Sequence, residues 1–299
     1  MKQTGRTSFY TEIARNKRNS YFLMTGIFFA LLILVYVISL ALDPSLTFII
    51  LIAGTIISIL YIWIGYTQSD KIALASVNAT KADKDRYKQY HDSVESIAIA
   101  SGMPKPDLYV MQDSHINAFA TGKDPEHGVM CFTTGALEKL NKQELEGVIA
   151  HEMAHIANYD IRFMTVAAVL IGLISIISHI FLRSLWFGGG NNRGNDRSQA
   201  IFLIIAIVLA ILTPILVSLV QLAISRKREY AADSTAVKFT RSPTGLIGAL
   251  KKIKHDHEPA RTKVPSAMAP LFIRKPSKAK EWFSTHPPLE KRIALLERM

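Results

Sequence analysis

Four long uncharged runs of apolar residues restrict the folds available to this chain. They occupy residues 21–42, 47–66, 163–182 and 200–224. A helix needs about 20 apolar residues to cross the hydrocarbon core of a bilayer, and each run is long enough. Hydrophobic residues make up 49% of the sequence, which favours transmembrane helices over four buried helices of a soluble protein. We therefore expect a mostly α-helical membrane protein with four transmembrane helices.

The spacing of the runs predicts two helical hairpins. Only residues 43–46 separate the first two runs, so these form a tight hairpin. The first run is too long for a cleaved signal peptide, and no small-residue cleavage site follows it before the second run. Pro214 lies inside the fourth run, where we expect it to kink the helix.

Lysine and arginine predict the orientation in the membrane. Basic residues of the N-terminal tail include Arg6, Arg15, Lys17 and Arg18. The first hairpin loop has none, and positive charge accumulates on the cytoplasmic side of membrane proteins. The tail, residues 67–162 and residues 225–299 are therefore predicted to be cytoplasmic. The glycine-rich loop 183–199 is predicted to lie outside, although its arginines weakly oppose this.

Charge and cysteine content exclude some other classes of protein. The net charge of +11 is also typical of nucleic-acid-binding proteins, but no zinc-finger, RRM or KH pattern accompanies it. We expect membrane lipids and no nucleic acid as partners. Cys131 is the single cysteine, which excludes an internal disulfide and a CxxC metal site. Nothing around it supports a thiol protease.

The stretches between the hairpins predict an α+β domain. Residues 69–102 have the apolar spacing of a helix. Strand-like segments follow in "KPDLYVMQD", "INAFATG" and "HGVMCFTTGAL", and the last of these leads into a helix. Prolines make residues 256–284 loop-like, and a final helix is predicted over residues 289–298.

The sequence "HEMAH" places His151 and His155 four positions apart on a predicted helix. That helix begins at the capping-box sequence "NKQE" of residues 141–144 and extends to about Asn158. Residues four apart share one helix face, so both imidazoles can bind one tetrahedral ion. Glu152 can accept the proton of a water at that ion. The motif alone is also compatible with an ordinary surface helix.

A zinc protease needs a third protein ligand and leaves the fourth position to water. The segment "SRKREYAADSTAV" after the fourth run offers Glu229 and Asp233 on one helix face, and Ala231 and Ala232 permit a close approach. The predicted topology returns this segment to the side of the histidines. Glu229 as ligand and Asp233 as hydrogen-bond partner of a ligating histidine is physically sensible. The alternative is a basic juxtamembrane helix that contacts lipid headgroups.

Together these motifs resemble the HtpX heat-shock proteases, integral-membrane zinc metallopeptidases related to the CAAX prenyl proteases. The similarity covers nearly the whole chain. It rests on the basic tail and first hairpin, "NAFATG" (117–122), "HEMAH", Asn158 and Asp160 after it, "REYAAD" (228–233) and "THPPLEKRI" (285–293). Several motifs in this order are far more specific than "HEMAH" alone.

The resemblance implies roles for particular residues. It implies that His151, His155 and Glu229 bind one zinc ion per subunit and that Glu152 is the general base. It places His286 near the site, where this side chain can donate to the developing oxyanion. From spacing alone, His286 belongs to a His-Pro-Pro turn.

The resemblance also implies a substrate-binding strand edge and further supporting residues. The edge consists of Asn117, Ala118, Phe119 and Ala120, and it would pair with an extended substrate backbone. From the sequence alone a plain buried strand is the simpler interpretation. Arg292 is expected to orient Asp233 or Glu229, and Asp160 either supports a metal ligand or caps the third membrane helix.

We expect an integral-membrane zinc endopeptidase with a zincin-like domain in the plasma membrane of a bacterium, its termini and active site being cytoplasmic. The resemblance implies misfolded or unassembled membrane proteins as substrates. The alternatives are a prenyl-protein processing protease and a non-catalytic membrane scaffold; a transporter is disfavoured because the runs carry no charge. The predicted segments are a tail (1–20), a hairpin (21–66), the first part of the protease domain (67–162), a second hairpin (163–224) and the second part of that domain (225–299).

Overall fold

The computed structural model describes residues 9–42, 44–170, 226–256, 264, 268, 271–273 and 287–299. The first predicted hairpin consists of helix α1 (Phe9–Leu42) and helix α2 (Thr47–Thr67), with a short 3-10 turn at Pro44–Leu46 between them. Two segments of these helices, Ile13–Tyr36 and Thr47–Thr67, are long and apolar enough to cross a membrane. The structure therefore supports the first two of the four predicted spans.

The hairpin combines a tight inner contact with an apolar outer surface. A Cβ atom added to Gly54 would lie 2.3 Å from Cγ1 of Val35, and small residues at such contacts are typical of membrane helices. Large apolar side chains on the outer faces are exposed, among them Phe22, Phe29, Phe48, Ile49 and Ile57. Soluble proteins rarely expose apolar patches of this extent.

A four-stranded mixed sheet follows the hairpin. Helix α3 (Ser69–Ser76) leads to strand β1 (Thr80–Lys81), helix α4 (Lys88–Ser101) and strand β2 (Asp107–Met111). Strands β3 (Ala118–Gly122) and β4 (Gly128–Thr133) complete the sheet, and helix α5 (Thr134–Lys139) comes next. The strand order is β1-β2-β4-β3, with β4 parallel to β2 and antiparallel to β3. The three predicted strands are confirmed, and β3 lies at one edge.

The prediction of one helix over residues 69–102 is wrong in its middle. Helix α3 ends at Ser76, and α4 begins only at Lys88. Asn78 has a left-handed backbone conformation, with φ of 51°, and a residue in that conformation ends a helix. Thr80 then pairs with Val110 of β2. Strand pairing has overridden the local helical preference, as tertiary contacts commonly do.

Helix α6 (Lys142–Ala157) begins at the predicted capping box. The Asn141 side chain accepts from the Glu144 N–H at 2.9 Å, and the Glu144 carboxylate accepts from the Asn141 N–H at 2.8 Å. This part of the prediction is confirmed. The helix is buried along most of its length. Tyr159 follows with φ of 59° and directs the chain into helix α7, residues 160–170.

Helix α7 is the beginning of the third predicted span, and it packs on the membrane hairpin. A Cβ atom on Gly65 would lie 2.5 Å from Cδ2 of Leu170, and the Tyr61 hydroxyl donates to the Leu170 carbonyl at 2.6 Å. Leu23 and Ile27 of α1 belong to the same buried cluster. The remainder of the third span and all of the fourth lie outside the described residues.

Helices α8 (Arg226–Thr240), α9 (Thr244–His255) and α10 (Leu289–Leu296) complete the described fold. Helices α6 and α9 are in backbone contact, because a Cβ atom on Gly147 would lie 2.4 Å from the Leu246 nitrogen. On α8, Ala232 is buried and Ala231 is exposed. Of the two alanines expected to permit a close approach, only Ala232 faces the interior.

Candidate metal centre

Helices α6 and α8 bring three metal-binding side chains together. His151 Nε2 lies 3.8 Å from Oε2 of Glu229, and His155 Nε2 lies 3.7 Å from its Oε1. The two imidazole rings are nearly perpendicular, with centroids 4.8 Å apart. All three side chains are buried, and one potential ligand atom from each lies within 4.8 Å of the others.

These separations suit a tetrahedral ion. Zinc–ligand bonds of about 2.0–2.1 Å at tetrahedral angles place neighbouring ligand atoms about 3.4 Å apart, so a small side-chain adjustment closes the set. Two imidazoles and one carboxylate also form a ligand set of hydrolytic zinc sites, which keep a fourth position for water. The chemistry and geometry of the donors both fit a metal ion.

A carboxylate holds the second nitrogen of each histidine. His151 Nδ1 lies 3.0 Å from Oδ1 of Asp233, and His155 Nδ1 lies 3.0 Å from Oδ2 of Asp160. Contacts of this kind fix the ring orientation and leave Nε2 available to a metal. The structure thus places Asp233 and Asp160 directly against the two candidate ligands.

Arg292 of helix α10 lies against Asp233 and has no exposed surface. Its Nε and Nη2 donate to the two oxygens of Asp233 at 2.9 and 2.6 Å. Its Nη1 lies 3.4 Å from Oε2 of Glu229. Arg292 was expected to orient either Asp233 or Glu229, and its guanidinium contacts both.

The surroundings shift the pKa values of the two histidines in opposite directions. Burial, together with the charge of Arg292, lowers the pKa of His151 to about 4. Burial also acts to lower the pKa of His155, but the hydrogen bond with Asp160 and the charge of Glu229 outweigh it and raise that pKa to about 9. The surroundings therefore disfavour a positive charge on His151 and favour one on His155.

The pKa of Asp233 is lowered. Burial alone would raise the pKa of this carboxyl, but the charge of Arg292 and the hydrogen bond with His151 outweigh burial. Asp233 is thus an ionised acceptor for the imidazole N–H. An ionised partner strengthens that hydrogen bond relative to a neutral one.

A small pocket opens beside the three donors, and Glu152 lines it with them. The apolar part of its lining consists of Ala120, Ile161, Met164, Leu271 and Ile273. Glu152 is 2% exposed, so its carboxylate faces the interior next to the donors. A carboxylate in that position can accept a proton from a water bound between them.

Sequence comparison assigns the family. Residues 84–299 match the profile of Peptidase family M48. This stretch contains every side chain that lines the pocket and no part of the hairpin formed by α1 and α2. The chain belongs to peptidase family M48. It is a metalloprotease, and the resemblance to the HtpX proteases is confirmed by its relatives.

Three relatives illustrate the similarity. The "Protease HtpX homolog" of Thermoanaerobacter pseudethanolicus is 45% identical over 298 residues, which is 98% of this chain and 99% of the relative. The protein of that name from Caldanaerobacter subterraneus is 49% identical over 245 residues, covering 81% and 82%. The one from Ligilactobacillus salivarius is 40% identical over 296 residues, covering 97% and 99%. S. mikatae Ste24p aligns with a TM-score of 0.48 at 19% identity, over 95% of this chain and 65% of that chain.

The strand edge predicted to bind substrate in this peptidase reaches the pocket at one residue. Ala120 lines the pocket. Asn117 is buried, where its amide contacts His115 Nε2 at 3.1 Å and accepts from the Ala118 N–H at 3.1 Å. The Ala118 carbonyl accepts from the Ile273 N–H at 3.0 Å, and the Phe119 ring packs on Phe272.

Two features of the site escaped the sequence analysis. Leu271 and Ile273 line the pocket, although their segment was predicted only as a loop. Asn16 donates to Asp160 at 2.7 Å, although an asparagine between basic residues is typical of a solvated tail. His286, which was expected near the oxyanion, lies outside the described residues.

Proposed function

We propose that this metalloprotease is a zinc-dependent endopeptidase of the bacterial cell membrane that cleaves misfolded or damaged membrane proteins from the cytoplasmic side. The observation that carries the proposal is the convergence of His151, His155, Glu229 and Glu152 in one pocket. That pocket belongs to a domain packed against an apolar helical hairpin. A role in membrane protein quality control follows the HtpX resemblance.

The chemistry divides between the ion and the chain. His151, His155 and Glu229 would hold zinc, which supplies Lewis-acid chemistry by polarising the scissile carbonyl and acidifying water. Glu152 accepts the proton of the attacking water and returns it to the leaving amine. Asp233 and Asp160 keep the imidazoles oriented throughout.

Strand β3 offers a backbone contact to the substrate. The Asn117 carbonyl accepts from the Thr133 N–H at 3.0 Å, so this peptide group faces β4. Peptide groups alternate in direction along a strand, and those of Ala118 and Ala120 therefore face away from β4. Since Ile273 already binds at Ala118, we assign pairing with an extended substrate to Ala120. Such a contact is largely independent of substrate sequence.

Aromatic and basic side chains support a site at the membrane boundary. The Arg162 guanidinium lies 4.9 Å from the ring centroid of Tyr21 and 5.2 Å from that of Tyr66. Tyr21 begins the first apolar run and Tyr66 ends the second, and tyrosine is enriched at membrane–water interfaces. Ile161, adjacent to Arg162, lines the pocket. A pocket at this level can reach the cytoplasmic loops of membrane proteins.

Reconstitution into lipid vesicles tests the proposed function. The vesicles contain the peptidase, or its Glu152→Gln variant, together with a model membrane protein in native or destabilised form. We expect the wild type to cleave the destabilised form faster and the variant to cleave neither. Equal cleavage of both forms would contradict the quality-control role, and cleavage by the variant would contradict the assigned base.

A further inference from the structure

Helix α1 extends beyond the apolar part of the hairpin and contacts the turn between α6 and α7. Asn16 on this extension is fully buried. Its Nδ2 donates to the Asn158 carbonyl at 3.0 Å and to Oδ1 of Asp160 at 2.7 Å. Both amide hydrogens are used, and the reversed amide would direct its oxygen at a carboxylate. The acceptors therefore determine the orientation of this side chain.

Asp160 connects Asn16 to the candidate metal centre. One carboxylate oxygen accepts from Asn16, and the other lies 3.0 Å from Nδ1 of His155. The side chain is 1% exposed, so bulk water does not compete for either oxygen. Arg228 adds a longer contact, with Nε 3.7 Å from Oδ1. The orientation of the carboxylate, and with it the His155 ring, therefore depends on a donor from the membrane hairpin.

The backbone of the same turn is also held by α1. Tyr159 has φ of 59°, a left-handed conformation that bulky residues rarely adopt. The Lys17 ammonium lies 4.1 Å from the centroid of the Tyr159 ring, and Asn16 binds the carbonyl just before it. Helix α1 thus contacts Asn158, the Tyr159 ring and Asp160, and these contacts fix the placement of Asp160 relative to His155.

We propose that Asn16 is a positioning residue of the metal centre, through which helix α1 holds Asp160 and thereby orients His155 for the ion. The inference rests on the proposed metal site. It makes the membrane hairpin a part of the metal-binding architecture as well as an anchor. Residues far apart in the chain, on a membrane helix and on the protease domain, then act as one unit.

The proposal is tested by measuring zinc affinity. The folded, metal-free, full-length protein in detergent competes for zinc with a chromophoric chelator. Asn16→Ala is expected to weaken zinc binding by about tenfold, the lower end of the range for groups that support metal ligands. Asn19→Ala is the matched control, because it removes a partly exposed asparagine one turn further along α1 and should leave the affinity unchanged. Unchanged affinity in Asn16→Ala would overturn the proposal.

A double-mutant cycle separates positioning from a structural effect. In an Asp160→Asn background, Asn16→Ala should cause no further loss of zinc affinity, because the contact through which it acts is already altered. An equal loss in both backgrounds would overturn the proposal. A purely structural role would lower the unfolding temperature of the metal-free protein and leave the zinc affinity of the folded protein unchanged. Asn16→Leu, which keeps the side-chain volume and removes the donor, replaces Asn16→Ala if the latter does not fold.

The zinc affinities of Glu229→Ala and Asn16→Ala together distinguish a wrong metal site from a wrong role for Asn16. If Glu229→Ala bound zinc as tightly as the wild type, the metal site itself would be wrong, and the role of Asn16 would fall with it. If Glu229→Ala lost zinc while Asn16→Ala kept wild-type affinity, only the role of Asn16 would be wrong. Loss of affinity in both variants, with Asn19→Ala unaffected, supports both proposals.

Discussion

Glu229 lies between the two candidate histidine ligands and Arg292. Its carboxylate lies 3.8 Å from His151 Nε2, 3.7 Å from His155 Nε2 and 3.4 Å from Nη1 of Arg292. A buried carboxylate is costly unless positive partners surround it. Arg292 supplies one such partner, and the geometry of the two imidazoles leaves room for a metal ion as the other.

Removal of the Glu229 carboxylate should weaken zinc binding severely. Glu229→Ala deletes one of three candidate ligands, so the loss should exceed the roughly 10- to 100-fold typical of substitutions at supporting groups. Chelator competition on the purified protein measures this affinity. Glu290→Ala is the control, since that side chain is 59% exposed. Wild-type affinity in Glu229→Ala would show that the third ligand is wrong.

The residues of the site differ in how far the sequence alone could identify them. The spacing in "HEMAH" fixes two imidazoles on one helix face, because it depends only on local helix geometry. Identifying Glu229 also required the predicted membrane topology, which returns its segment to the side of the histidines. Asn16 could not be predicted, because its contact with Asp160 spans 144 positions and no periodicity encodes such a pair.

At the scale of elements, helix α6 is held in place by its neighbours' backbones. The capping box fixes where it begins, and glycines set how closely α9 approaches. A Cβ atom on Gly245 would lie 2.2 Å from the Gln143 carbonyl oxygen, and one on Gly147 would lie 2.4 Å from the Leu246 nitrogen. Since α6 carries both histidines, these contacts also determine where the imidazoles lie.

Gly147→Ala should therefore destabilise the domain. Overpacking costs about 1–3 kcal/mol, whereas replacing a helical glycine by alanine gains about 0.5–1 kcal/mol, so a net loss is expected. Thermal unfolding followed by circular dichroism in detergent measures it. In Gly26→Ala, the control, the added Cβ meets nothing within 4 Å. An unfolding temperature of Gly147→Ala at or above that of the wild type would contradict this close packing of α6 on α9.

Local sequence patterns predicted some helices and strands well, but they failed where pairing between distant segments determines the structure. The capping box and the short apolar segments between turns identified α6 and the three longer strands. The interval from Val77 to Tyr87 was misassigned because pairing of β1 with β2 overrides local composition. The pairing of Ile273 with Ala118 was likewise invisible, since it joins β3 to a segment with no strand pattern of its own.

At the scale of the whole molecule, the pocket that holds the candidate metal ligands belongs to a domain packed on the apolar helical hairpin. Helix α7 continues from the histidine-bearing helix into the cluster formed with α1 and α2. The apolar runs predicted this class of protein from the outset, because backbone groups in a bilayer must be satisfied within the span itself. What the runs could not predict is that α1 also contacts Asp160, the carboxylate that holds a candidate metal ligand, His155.

Cysteines introduced in the predicted outer loop test the orientation in the membrane. Residues 188–190 lie outside the described residues. We expect a membrane-impermeant maleimide to label them from outside intact cells, whereas Glu126→Cys, an exposed position on the domain, should label only after lysis. Cys131 is buried and burial raises the pKa of its thiol, so it contributes little background. The opposite labelling pattern would invert the topology.

The decisive measurement is cleavage of an unfolded model protein by detergent-purified wild type and Glu152→Gln, with the zinc content of each determined. We predict cleavage by the wild type alone and about one zinc ion per chain in both proteins, because we assign proton transfer to Glu152 and metal binding to His151, His155 and Glu229. Cleavage by both proteins would remove Glu152 from the mechanism. An active wild type that contains no zinc would contradict the metal centre itself.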